Sequence, residues 1–116
     1  MGLLGKLGLR RRSGGSRRGD GGDQAHLRAW AAAHEGVEAF VEPRTTVTET
    51  TMVLVDKDGA WTRRRIPGPA AARKLARSLA IPVYDVQIVG YPRRMREHDA
   101  RQRALRNRER RRDLGA

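Results

Sequence analysis

The sequence predicts an α+β protein: a small antiparallel sheet of about four strands with two helices, in the order α-β-β-β-α-β, a basic C-terminal helix and a disordered N-terminal tail. Three observations predict it. Apolar residues recur at helical spacing in "QAHLRAWAAAHEG" and "AAARKLARSLA". Between these two segments, "TMVLVDKDGAWTRRRI" reads as two β-prone runs joined at Asp58-Gly59. Charge is divided by region: residues 1–22 hold six basic residues against one acid, 93–116 hold ten arginines against four acids, and 23–92 are nearly balanced, nine against eight. The expected organisation is a flexible basic tail over 1–22, a domain over 23–92 and an arginine-rich helix over 93–116.

Each element has a local reason. "RRRSGGSRRGDGGD" has nothing apolar to bury and reads as a linker. Asp23 stands where an N-cap belongs, and Leu27, Trp30, Ala31 and His34 then share a helical face, with Gly36 as the left-handed terminator. Val37, Ala39 and Val41 alternate with Glu38, Phe40 and Glu42 in a strand that Pro43 ends. Thr45–Thr51 favours extended backbone, and Asp58-Gly59 suits a type I′ hairpin turn. Gly68-Pro69 opens a second helix with Pro at its first position. In that helix Ala72, Leu75, Ala76 and Leu79 form the apolar face, opposite Arg73, Lys74 and Arg77. "VYDVQIVGY" is the last expected strand, with Tyr84, Val86 and Ile88 on one face.

The net charge of +12 points to anionic partners rather than to a fold. In the closing segment Arg93, Arg94, Arg96, Arg101, Arg103, Arg106, Arg108, Arg110, Arg111 and Arg112 run all the way round a helix. Met95, Ala100, Ala104, Leu105 and Leu114 make no stripe wide enough for core packing. These arginines are expected to contact phosphates, and removal of 93–116 is expected to leave the domain folded. A second candidate surface is the strand face carrying Trp61, Arg63 and Arg65, where an aromatic beside cations suits base stacking. The competing expectation buries Trp61 and pairs the arginines with Glu38, Glu42 or Glu49. The order α-β-β-β-α also resembles the double-stranded-RNA-binding layout, but "GPAAARKLAR" begins with alanines where that family carries a lysine cluster.

Catalysis is not expected, and no catalytic residue, metal site or cofactor is assigned. His26, His34 and His98 lack metal-ligand spacing, and no nucleophile elbow, P-loop or dinucleotide fingerprint occurs. Asp56 and Asp58 serve a turn, and Asp85 has no evident proton-transfer partner. There is no cysteine, and no apolar run approaches the roughly 20 residues that span a bilayer. The N-terminus reads neither as a secretory signal nor as a myristoylation site, so the cytoplasm is expected.

Through "VEPRTT", "WTRRR" and "PVYDVQIVGYPRRMR", over roughly residues 36–98, the chain resembles a family of short, basic, uncharacterised actinobacterial proteins. The resemblance implies no catalytic or binding residue, although some relatives carry the label oxidoreductase. The function expected from the residues is that of a non-enzymatic accessory protein whose basic ends bind nucleic acid, RNA rather than DNA, or a ribonucleoprotein. The alternatives are a peripheral membrane adaptor, in which Leu3, Leu4, Leu7 and Leu9 with Arg10, Arg11 and Arg12 meet an anionic membrane surface, a protein-partner adaptor, and remotely an oxidoreductase.

Overall fold

The computed structural model describes residues 21–115; the Leu3–Arg12 segment lies outside them. The elements are α1 (Gly21–Ala33), β1 (Glu38–Glu42), β2 (Thr51–Val55), β3 (Trp61–Arg65), α2 (Pro69–Ser78), β4 (Val83–Asp85), the single turn α3 (Val86–Val89) and α4 (Arg93–Gly115). The fold class is the expected α+β. The sheet is mixed, however, not wholly antiparallel: its order is β3-β2-β1-β4, and β4 pairs parallel to β1. The connection explains this. β3 runs in the direction of β1, and a chain that returns through helix α2 re-enters the sheet in the direction it left it.

Alternation along the strands sorts side chains between two faces. Ala39, Val41, Met52, Leu54 and Ile66 meet Leu27 of α1 and Ala72, Leu75 and Ala76 of α2 in the main core. Phe40, Val53 and Val55 point the other way and are covered by Met95 of α4, with half-buried Trp61 at the margin. The C-terminal helix therefore belongs to the domain at its start. Met95 is 7% exposed, so α4 packs on the sheet at its start although its sequence has no stripe wide enough for core packing. One apolar anchor suffices because its polar neighbours also dock. Arg94 donates to Glu38 (2.7 Å) and to the Asp56 carbonyl (2.7 Å), and Arg101 donates to the Asp58 carbonyl (3.0 Å).

Four local readings are corrected. Asp23 sits in the first turn of α1, facing Arg64 at 3.6 Å, instead of capping the helix. Thr45 folds its segment into a turn, its hydroxyl accepting from the Val47 and Thr48 amides, so β2 starts only at Thr51. Of Asp58 and Gly59 only Gly59 has a positive φ, 93°, so the turn is not type I′. The Gly59 amide donates to the Asp56 carbonyl (3.1 Å), which is a type I turn followed by a left-handed glycine. Finally, the Asp85 carboxylate accepts from the Gln87 amide (2.8 Å) and caps α3, so β4 stops after three residues despite the β-prone Val86 and Ile88.

Candidate nucleic-acid interface

β3 places Trp61, Arg63 and Arg65 on the sheet face that α4 partly covers. Register across β2 brings Arg63 within reach of Glu42 on β1, and the pair is bidentate: Nε and Nη2 of Arg63 donate to the two carboxylate oxygens at 2.7 and 2.9 Å. Glu42 also accepts from the Thr51 hydroxyl (2.5 Å) and from the Tyr91 hydroxyl. Trp61 donates its indole N–H to Asp99 (2.9 Å), and the Arg63 guanidinium lies 5.1 Å from its ring centroid. Arg65 is exposed. Arg63 is thus committed to Glu42, and Trp61 is fixed through its N–H while its ring stays half-exposed. Pairing of Arg63 with a neighbouring carboxylate, the competing expectation, is what the geometry shows, with Glu42 as the acid.

This cluster titrates in a defined way. Burial pushes the Glu42 carboxyl up, but hydrogen bonds from Arg63, Thr51 and Tyr91 and the charge of Arg63 outweigh it, so its pKa lies below the ordinary value. The Glu42 hydrogen bond raises Arg63 further, against its own burial. Burial first, and then the bond to Glu42, raise Tyr91, which keeps its hydroxyl a donor. A carboxyl depressed in the folded state contributes stability that is present above its unfolded pKa of about 4.3 and is lost as pH falls through the folded value. Urea midpoints should therefore fall as pH drops through and below the ordinary carboxylate range, and Glu42→Gln should flatten that fall while lowering the midpoint at pH 7. A variant curve parallel to that of the parent would contradict the assignment.

The ten closing arginines separate into two groups. Arg94 is half-buried and spent on Glu38 and backbone carbonyls, and Arg96 donates to the Tyr91 carbonyl (3.0 Å). Every residue from Arg101 to Leu114 is exposed. That stretch carries Arg101, Arg103, Arg106, Arg108, Arg110, Arg111 and Arg112 against Glu109 and Asp113. Arg106 and Arg110, and Arg108 and Arg112, are like-charge pairs at i,i+4, which disfavour the helix until an anion neutralises them. Arg93, at the helix start, is exposed as well.

A groove that sequence reasoning missed lies between the hairpin end and α4. It is lined by Ala60, Trp61, His98, Asp99, Gln102, Arg103 and Arg106, with a volume of about 430 Å³. Its sequence signal is faint: only the i,i+4 spacing of His98, Gln102 and Arg106 hints at one helical face. A second, larger groove is lined by Arg63, Arg64 and Arg65 with Asp23, Glu49 and the threonine loop. Two of its arginines face acids already, Arg63 on Glu42 and Arg64 near Asp23.

Among the described residues no three His, Cys, Asp or Glu side chains gather as metal ligands, and no helix is long and apolar enough to cross a membrane. Leu3, Leu4, Leu7, Leu9, Arg10, Arg11 and Arg12 of the membrane-adaptor reading lie outside the described residues. Set against protein-family models, curated proteins and solved structures, the chain matches none.

Proposed function

We propose that this chain is a non-enzymatic, cytoplasmic accessory protein that binds RNA, or RNA within a ribonucleoprotein, through phosphate contacts from the outer part of α4. The observation that carries the reading is the division of α4. Its first two turns dock on the sheet, and the remainder holds seven exposed arginines between Arg101 and Arg112. Docking fixes the start of the helix that carries these guanidinium groups, so less backbone entropy is lost on binding than with a free tail. Arginine also makes the bidentate phosphate contacts that lysine cannot.

The test replaces four arginines far from every packed residue: Arg108→Gln, Arg110→Gln, Arg111→Gln and Arg112→Gln together. If each meets one phosphate, affinity for a single-stranded RNA at about 0.1 M salt should drop by nearly three orders of magnitude, about 0.7 per contact per decade of salt. Unchanged affinity in a folded variant would sink the reading. A protein-partner reading has one observation in its favour, the exposure of Ile88 (81%) and Val89 (54%) beside Tyr84. Binding carried by that patch would survive both the four substitutions and high salt.

A further inference from the structure

We infer that the groove between the β2–β3 turn and α4 is a base-binding site, and that the ligand is single-stranded nucleic acid with one unstacked base seated beside Trp61. This deepens the proposed function and rests on it.

The groove exists because of a close approach. A Cβ at Gly59 would sit 2.0 Å from the Arg94 carbonyl oxygen, so only glycine lets the turn lie against α4. That contact brings the start of β3 beside the second and third turns of α4, and three kinds of group converge there. Trp61 is half-buried, with its N–H satisfied by Asp99 and Arg63 near its ring, so the indole is held in place while part of its surface faces the groove. A base stacks on such a ring with little regard to its identity. Gln102 is exposed on the groove wall, and its amide offers both donors and an acceptor to a base edge. Arg103 and Arg106 line the same groove and begin the exposed arginine row, so a strand whose base enters the groove continues along phosphate-binding groups.

Charge and shape select the occupant. The acid in the groove, Asp99, already accepts from Trp61, which leaves Arg103 and Arg106 as the cations facing an incoming anion. An acidic peptide satisfies those charges but gives Trp61 no ring to stack on. A duplex keeps its bases stacked and paired, out of reach of the indole. The larger groove beside Arg63–Arg65 is a weaker candidate, because Asp23 and Glu49 line it and Arg63 is bound to Glu42.

The experiment uses the full chain with Trp30→Phe, which leaves Trp61 as the one tryptophan of the two. Indole fluorescence is followed during titration with a mixed-sequence single-stranded RNA, the same sequence as single-stranded DNA, the RNA duplex and polyglutamate. Quenching is expected with the two single strands and not with the duplex or polyglutamate; equal quenching by all four overturns the inference. Stronger quenching by RNA than by DNA would narrow the ligand to RNA. In a second arm Gln102→Ala and Trp61→Leu are expected to weaken single-strand binding, the tryptophan change by roughly 5- to 150-fold, with the salt dependence unaltered. Gln102 is exposed, so its variant stays folded whatever becomes of Trp61→Leu. Tail-dependent binding without Trp61 quenching would end the groove assignment and leave the proposed function standing. No binding to any nucleic acid would end both.

Discussion

A chain ended after Pro92 is expected to lose its stable fold, whereas a chain ended after Arg106 is expected to melt as the full protein does. The first cut removes Met95 from Phe40, Val53 and Val55, strips Trp61 of its Asp99 acceptor, and leaves Glu38 without Arg94. Loss of the buried methionine alone costs about 2–5 kcal/mol, and the unpaired polar groups add about 1–3 kcal/mol. Against a total of about 5–15 kcal/mol for a typical domain, that is a large fraction. The second cut removes only residues 107–116, of which 107–115 are exposed. It takes away Arg108, Arg110, Arg111 and Arg112, so on the proposed function it is expected to lose most of the RNA affinity. Thermal melts followed by circular dichroism separate the two outcomes. A stable, cooperative protein of residues 1–92 would show that the second face of the sheet needs no cover.

The second large effect is expected at Gly59. Its φ of 93° disfavours any side chain, and a methyl there would collide with the Arg94 carbonyl at 2.0 Å. Gly59→Ala should therefore lower stability by about 2–4 kcal/mol, about 1 from backbone strain and the rest from forcing α4 away from the turn. For a domain of this size that corresponds to a fall in Tm of about 10–25 °C. Gly68→Ala is the matched control, since its φ of 175° is ordinary extended backbone and no atom stands within 4 Å of the added methyl. A Gly59→Ala protein that melts within a few degrees of the parent would mean that the turn and α4 do not touch as described.

The origin of these effects shows which parts of the fold are legible in the sequence. Helices α1 and α2 carry 3.6-residue periodicity and clear punctuation, Gly36 after one and Pro69 at the head of the other, and both stand as expected. The β2–β3 hairpin was equally legible, because alternation and the Asp-Gly pair agree. Segment 86–89 was not. Its β propensity is overridden by one hydrogen bond from the Gln87 amide to Asp85, a local cap that composition does not reveal. The docking of α4 was hidden for a different reason. A helix anchored by Met95 alone shows no apolar stripe, and the contacts that fix it run from Arg94 and Arg101 to backbone carbonyls that no side-chain pattern records. The Arg63–Glu42 pair depends on a register across two strands, which the spacing of charges suggests but does not select. The groove at Trp61 depends on all of these at once.

The central claim is that the outer arginines of α4 meet phosphates, and the salt dependence of binding tests it most directly. Affinity for a single-stranded RNA is measured from about 50 to 300 mM salt for the full chain and for the variant with Gln at 108, 110, 111 and 112. Each phosphate contact to a single strand contributes about 0.7 to the slope of log K against log salt, so the slope should become shallower by up to about 3. Equal slopes for the two proteins would mean that these arginines touch no phosphate, and would contradict the account.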